Sequence, residues 1–353
     1  MSVRRDALKD ISFQPQSFPN AGLWFDKYLK KQKDSTLEPY AKHIELTGKI
    51  HTRKYKPQAY AAFFKRWKAQ LKAMGAELRE AEVVGRLAAG LGGESVIENG
   101  LTFHHTYGVP IIPGSSLKGT ARTYAAANLD GVWAEKGAAF RTLFGGQVLA
   151  PDDDDSDADK ERKKARIGIA IFYDALPLPG TFKIHNEVMT VHHKEHYGDG
   201  SQPPADWDSP TPIPFASASG TFLIAIHTAP EWKEWAGSAM GILKMALAES
   251  GVGGKTSSGY GRFTLTELTL SPEEQNRKNF YEALNALPNN RVANQIHRFV
   301  NRWRSPEIPK PYKQEVAQAI LNKVHEAGRK KNSQDKSWYQ SLEDCVHNEN
   351  CPD

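Results

Sequence analysis

Residues 249–262 read Glu-Ser-Gly-Val-Gly-Gly-Lys-Thr-Ser-Ser-Gly-Tyr-Gly-Arg, and the flanks of this stretch separate two unrelated folds. Gly254-Lys255-Thr256 ends it as a nucleotide hydrolase's phosphate loop would, but Glu249 stands where that motif needs glycine. A phosphate loop also leaves a strand and opens a helix whose N-terminus holds the phosphates. Here the apolar stripe Trp232, Trp235, Met240, Leu243 and Leu247 predicts a helix over 231–249, ahead of the loop. The alternating residues 262–270 (RFTLTELTL) predict a strand after it. The order is the reverse of what ATP or GTP binding requires, so neither is expected.

The stretch suits a polyanion instead. Gly251, Gly253, Gly254, Gly259 and Gly261 permit positive φ and remove side chains, so backbone N–H groups are expected to meet phosphate oxygens. Lys255, Thr256, Ser257, Ser258 and Arg262 add charge and hydroxyl donors, and Tyr260 is a candidate to stack on a base.

Working outward, 221–227 (TFLIAIH) and 166–173 (RIGIAIFY) read as strands, and 82–90 (EVVGRLAAG) as a strand ending at glycines. Ser115 or Ser116 is expected to cap a helix running through Leu117 to Asn128. Ser115, Ser116 and Lys118 at that helix start form a second anion-type site. Strand, helix, strand, strand, helix, strand is the split βαβ order of an α+β, ferredoxin-like domain. It occupies 81–270, between a helical, basic extension over 1–80 and a proline-punctuated helical extension over 271–353. Between the second and third strands lies a long proline-rich excursion, with Pro203, Pro204, Pro210, Pro212 and Pro214.

Hydrophobic residues make up 39% of the chain and charged residues 25%, as in an ordinary globular protein. No apolar run approaches the roughly 20 residues that span a bilayer, and no secretory signal is visible, so a cytoplasmic location is expected. Two cysteines, Cys345 and Cys351, cannot staple a chain of this length, and with His347 they fall short of a zinc knuckle. The formal charge is +5, but the acidic run 152–161 (DDDDSDADKE) carries −6, which leaves +11 on the rest. Such a run reads as a solvated linker. Between Leu46 and Ala76 eight Lys/Arg occur without an acid, Arg53 and Lys54 among them, interleaved with Tyr55, Tyr60, Phe63, Phe64 and Trp67. Basic and aromatic residues together suit a nucleic-acid backbone and its bases; the other reading is an amphipathic helix with its aromatics in the core.

Val109-Pro110-Ile111-Ile112-Pro113-Gly114-Ser115-Ser116-Leu117-Lys118-Gly119-Thr120-Ala121-Arg122, followed far downstream by a glycine-rich loop before the last strand, resembles the RAMP superfamily of CRISPR proteins. Asn20 to Leu23, Leu143 to Gly146, Phe172 to Ala175, Asn186 to His193 and Pro212 to Phe215 narrow the resemblance to the Cmr subunit six family. It spans roughly residues 20–270. It implies an RRM-related core and a non-catalytic, cofactor-free subunit that binds guide RNA near its 3′ end in a type III-B effector complex. The implied partners are the guide and target RNA, the backbone RAMP subunit, the small helical subunit and another RAMP subunit. Ser115 to Arg122 (Ser115, Ser116, Lys118 and Arg122) and the loop to Arg262 would then hold guide-RNA phosphates. Some RAMP relatives use a histidine near His104 and His105 to cleave RNA, so a metal-independent endoribonuclease is the alternative. His192, His193 and His196, with Glu195, Asp199, Asp206 and Asp208, lack metal-ligand spacing and are expected in a polar loop.

Overall fold

The computed structural model describes residues 20–29, 38–50, 58–93, 95, 99–135, 137–146, 167–269, 272–348 and 351–352. Two compact units divide the chain, Met1–Leu268 and Thr269–Asp353. In the first, helices α1 (Ala21–Lys27), α2 (Glu38–Ile50) and α3 (Gln58–Ala73) precede strand β1 (Glu77–Val84), then α4 (Gly114–Asn128) and α5 (Ala138–Phe144). Short strands β2 (Ile171–Phe172) and β3 (Leu176–Pro177) lead to a hairpin of β4 (Lys183–Val191) and β5 (Thr211–Ser219), with the one-turn helix α6 (Lys194–Gly198) between its arms. β6 (Thr221–His227), α7 (Lys233–Glu249) and β7 (Arg262–Thr266) complete the unit.

The main sheet has the order β2-β6-β1-β7, with β3 also pairing β6, and its neighbouring strands run antiparallel. β6 lies inside the sheet and is apolar at nearly every position because both of its faces are covered. Phe222, Ile224 and Ile226 pack with Ala81, Val83, Phe263 and Leu265 beneath α4 and α7. Leu223 and Ala225 point the other way, into a cluster with Tyr60, Phe64 and Leu71 of α3. Each such large side chain withdrawn from water contributes about 1.5–3 kcal/mol, so the sheet is anchored from both sides. β7 is covered on one face only: Phe263 and Leu265 are buried while Arg262, Thr264 and Thr266 are exposed.

Several boundaries differ from the sequence expectations. The first strand is Glu77–Val84 rather than 82–90: its register with β6 runs from Glu77 opposite Ile226 to Glu82 opposite Thr221, its last pair with β7 is Val84 with Arg262, and Gly85 follows with positive φ. Of the described residues 167–173 only Ile171–Phe172 pairs as a strand of the main sheet, and the last strand stops at Thr266, where its partner residue on β1 is Glu80. The proline-rich excursion contains the β4–β5 hairpin, paired from Lys183–Ser219 to Val191–Thr211. Pro212 and Pro214 are accommodated on an edge arm of this two-stranded sheet. Neither Ser115 nor Ser116 caps α4; the N-cap position is Pro113, and both serines lie inside the first turn. The aromatics of α3 follow the amphipathic reading: Tyr60 and Phe64 are buried, Phe63 and Trp67 pack on the same cluster, and Lys65 and Arg66 are exposed. Stacking on bases is therefore closed to Tyr60 and Phe64. Arg53, Lys54, Tyr55 and the acidic run 152–161 lie outside the described residues.

The second unit is helical throughout its described residues: α8 (Pro272–Asn285), α9 (Val292–Arg304), α10 (Lys310–Glu326), α11 (Lys330–Ser333) and α12 (Ser337–Asn348). Its core joins Phe280, Phe299, Trp303, Ile320, Tyr339 and Leu342. Pro311 does not break a helix, because it occupies the first turn of α10, where no intrahelical N–H partner is lost. The fully buried Lys313 reaches back to donate to the carbonyl of Arg304 at the end of α9, 3.3 Å away. Cys345 and Cys351 are joined by a disulfide spanning six positions, a local clamp at the end of α12.

Candidate nucleic-acid interface

The glycine-rich loop leaves the end of α7 and is folded against the segment that follows β1. Gly254 N–H donates to the carbonyl of Ala88 at 2.7 Å, and Gly261 N–H to that of Arg86 at 2.7 Å. Val252 N–H closes the loop on itself by donating to the Gly261 carbonyl at 2.8 Å. A Cβ at Gly261 would lie 1.9 Å from the Val252 oxygen, and one at Gly253 would lie 2.6 Å from that of Ala88. Both residues have positive φ, 69° and 92°, so any L side chain would be strained as well as crowded. The glycines therefore serve close backbone packing. Their N–H groups largely point inward, which corrects the expectation that this backbone is laid open to phosphates: Gly251, Gly254, Gly259 and Gly261 all spend theirs on carbonyls of the protein.

What faces outward is the middle of the loop. Lys255 sits in the left-handed region (φ 59°), the one described non-glycine residue with positive φ, and Thr256–Ser258 form a single 3-10 turn closed by Gly259. Ser257, Ser258 and Arg262 are exposed, and Lys255 and Thr256 half-buried. The Lys255 ammonium lies 5.6 Å from the centre of the buried Phe215 ring, and Tyr260 packs on the same ring at 5.9 Å. Tyr260 thus spends part of its ring surface within the protein. Burial raises its pKa, aided by the negative charge of Glu187.

Beneath this loop, at the base of the hairpin, lies a polar cluster that the sequence did not bring together. Arg86 donates from Nε to Glu187 at 3.0 Å, and the buried Ser217 hydroxyl donates to the same carboxylate oxygen at 3.1 Å. His185 and Ser219 share a hydrogen bond of 2.8 Å, and burial, with the Arg86 charge adding to it, lowers the His185 pKa. Register explains the grouping: Glu187 pairs with Phe215 and His185 with Ser217 across the hairpin, while Leu87 bridges to Ala218. Arg86, Glu187 and Phe215 are the residues that sequence spacing alone missed, because they lie far apart in the chain.

At the start of α4, Gly114 N–H donates to Asp174 Oδ1 at 2.7 Å, and a Cβ on Gly114 would meet the Phe172 carbonyl at 2.1 Å. The partial positive charge of the helix start is already answered by a carboxylate of the protein itself, which weakens the expected anion site there. The hydroxyls of Ser115 and Ser116 remain exposed. Lys118 and Arg122 follow Ser115 at helical spacing, with Arg122 5.6 Å over the Phe140 ring. Burial lowers the Lys118 pKa, and the nearby Arg122 charge lowers it further.

The two sequence-derived segments meet α4 at different levels. Tyr124, near its C-terminal end, donates to Glu249 at 2.9 Å, just ahead of the glycine loop. Ser115 lies about 13 Å up the helix axis from Tyr124 at 1.5 Å per residue. The segments are thus not one pocket but two places along one helix.

The histidines differ in how they are held. Thr106 and Tyr107 N–H groups both donate to His104 Nδ1, at 3.2 and 3.4 Å, and the ring packs against Phe63 and Tyr107. Burial holds the His104 pKa below the ordinary imidazole value, opposed by the Asp174 charge. His105 is exposed. His193 donates from Nδ1 to Asp208 Oδ2 at 2.7 Å, a carboxylate that also accepts from Ala205 N–H. No group of three or more His, Cys, Asp or Glu residues is placed to hold a metal among the described residues. None of their helices is long and apolar enough to cross a membrane.

The RAMP superfamily model matches residues 80–264, from β1 to β7. The CRISPR system Cmr subunit Cmr6 of Pyrococcus furiosus is 26% identical over 261 residues, covering 62% of this chain and 76% of its own length. Among solved structures, a chain of the type III-B Cmr-beta complex bound to cognate target RNA aligns with a TM-score of 0.46 and 19% identity, over 68% of this chain and 78% of that one. The crystal structure of Pyrococcus furiosus Cmr6 aligns with a TM-score of 0.31 and 28% identity, over 54% of this chain and 98% of that one.

Proposed function

The chain belongs to the RAMP superfamily, and from that membership we propose that it is a non-catalytic guide-RNA-binding subunit of a type III-B CRISPR (Cmr) interference complex. Its similarity to Cmr6 supports placing it near the 3′ end of the guide, beside the backbone RAMP subunit, the small helical subunit and another RAMP subunit. The sheet order β2-β6-β1-β7, with α4 and α7 on one face, supports reading the core as ferredoxin-like and RRM-related. This function needs no cofactor.

The observation that carries the proposal is the outward middle of the glycine loop. A lysine held in the left-handed region costs about 1–2 kcal/mol relative to glycine there, and such strain is commonly kept where a side chain has work to do. Lys255, Ser257, Ser258 and Arg262 offer two cations and two hydroxyls on a loop made rigid from within by its glycines. That combination fits RNA phosphates, with Ser115, Ser116, Lys118 and Arg122 contacting the same strand farther along α4.

The test is guide-RNA binding by full-length protein across a salt series. Lys255→Ala with Arg262→Ala should weaken binding and reduce the slope of log K against log salt by about 1.4, at roughly 0.7 per lost phosphate contact on a single strand. Unchanged affinity and slope would remove the loop from the interface. Incubation with labelled repeat RNA in the absence of metal checks the non-catalytic assignment: cleavage lost on His104→Ala or His105→Ala would replace it with the endoribonuclease.

A further inference from the structure

The helical unit Thr269–Asp353 lies outside the residues that the family model matches, and its charge is unevenly distributed. From Ala283 to Pro306 there is no acid and there are four arginines, whereas the rest of the unit has eleven acids against nine Lys/Arg. Three of those arginines, Arg291, Arg298 and Arg302, follow one another at i, i+7 and i+11. Arg298 and Arg302 lie one turn apart on α9, about 40° from one another at 100° per residue, and Arg291, which ends the 3-10 turn Asn289–Arg291, is the N-cap residue of that helix. They line an open cavity of about 360 Å³ whose floor is Ala286, Leu287 and Phe299.

The three cations differ in how they are held. Arg302 is half-buried and fixed from both sides, its guanidinium 5.3 Å from the Phe280 ring centre and its Nε 3.2 Å from Glu307. Arg291 and Arg298 are exposed and make no ion pair with a described residue. Along the axis, 291 to 298 is about 10 Å and 298 to 302 about 6 Å at 1.5 Å per residue. Gln295, between them on the same face, brings an amide that can donate and accept at once.

We propose that this groove is a second RNA site, taking one nucleotide of a single strand, with its phosphates on Arg291, Arg298 and Arg302 and its base and ribose against the apolar floor. The proposal rests on the RNA-binding reading above and extends it to a unit outside the residues that the family model matches. The cavity is at the small end of ligand pockets, which start near 300 Å³, and so suits a single nucleotide unit rather than a folded domain. Planar guanidinium groups match phosphate oxygens two at a time and also stack on bases. An amide in the middle of the row suits a base edge, as glutamine does with adenine. An acidic peptide would satisfy the arginines but would leave this amide and the apolar floor without matching groups.

The experiment uses the full chain, a fluorescent single-stranded 12-mer RNA carrying 4-thiouridine, and three variants. Arg291→Ala/Arg298→Ala should weaken binding about tenfold and lower the salt slope by about 1.4, while Arg291→Lys/Arg298→Lys recovers most of both. Crosslinks should map to the peptide spanning 286–302 and disappear in the alanine variant. Lys255→Ala/Arg262→Ala is measured in parallel, so that the two sites fail separately. If only the loop variant binds more weakly and no crosslink maps to 286–302, this groove is not an RNA site and the earlier reading stands. If only the groove variant binds more weakly, the groove stands and the loop assignment falls. Displacement of the RNA by an equally charged glutamate peptide would overturn the proposal in favour of an acidic protein partner. Displacement by UMP at the oligonucleotide's own concentrations would overturn the strand in favour of a free nucleotide.

Discussion

The glycine loop at 251–261 and the arginine row at 291–302 both present cations to solvent, and they are built by opposite means. In the loop, shape comes first: Gly253 and Gly261 are dictated by backbone oxygens lying within 2.6 Å of where a Cβ would be, and only Lys255 and Arg262 bring charge. In the row, the backbone is an ordinary helix, and the surface is made by side-chain periodicity over a core of Ile296, Phe299, Val300 and Trp303. The difference teaches where each site is fragile. A loop held by close backbone contact is sensitive at residues that carry no chemistry, whereas a helix face is sensitive in the core beneath it and tolerant at its surface.

That contrast can be broken most forcefully at Trp303, which is fully buried and donates from Nε1 to the Lys313 carbonyl at 2.8 Å. Trp303→Ala should destabilise the helical unit by about 3–5 kcal/mol. Amide hydrogen exchange should then rise across α8 to α12 while the amides of Gly254 and Gly261 stay protected. Loss of protection in the loop as well would mean that the two regions do not stand apart energetically.

The next largest effect is at Gly261. Gly261→Ala adds left-handed strain to a clash with a backbone oxygen, for a loss of about 3 kcal/mol. Gly259→Ala, where a Cβ has nothing within 4 Å, should cost only about 1 kcal/mol. Equal losses in thermal melts of the two variants would show that the loop's closeness to Ala88 and Val252 is not what fixes its shape.

The smallest effect sharpens the comparison through pH. His104 titrates below the ordinary imidazole value of about 6.5 because partial burial of its ring disfavours the charged form, with the neighbouring His105 adding to the effect. Its folded pKa is depressed, so this stabilisation is present above the unfolded value and is lost as pH falls through the folded one. Melting temperatures at pH 7.5 and 5.5 should therefore differ less in His104→Gln than in the unaltered protein, with RNA binding at pH 7.5 unchanged. A loss of RNA binding at pH 7.5 would give His104 a part in the interface.

Much of this was legible in the sequence where the signal is local. TFLIAIH at 221–227 reads as a strand and forms β6 at those bounds. The Trp232-to-Leu247 stripe reads as a helix, and the structure starts its regular part at Lys233 after a 3-10 turn at Pro230. The hairpin was not legible, because prolines at 212 and 214 and polar residues in β4 mask a strand that stands on an edge. At the candidate interface, Lys255 and Arg262 were legible as the loop's cations, but the packing of Lys255 over the Phe215 ring was not. The inward direction of the Gly254 and Gly261 N–H groups was not, since their acceptors, Ala88 and Arg86, lie more than 160 positions upstream.

By itself, the sequence determined the order of the main-sheet strands and the two helices that cover them, the basic and acidic blocks, and the glycine positions, because each follows from local periodicity or from a single residue's allowed φ. Tertiary structure alone decided that α4 begins against Asp174 rather than against an open anion site, and that Glu187, Arg86 and Ser217 meet beneath the loop. These are contacts between groups distant in the chain, whose partners are fixed by strand register and helix packing rather than by any neighbour in sequence.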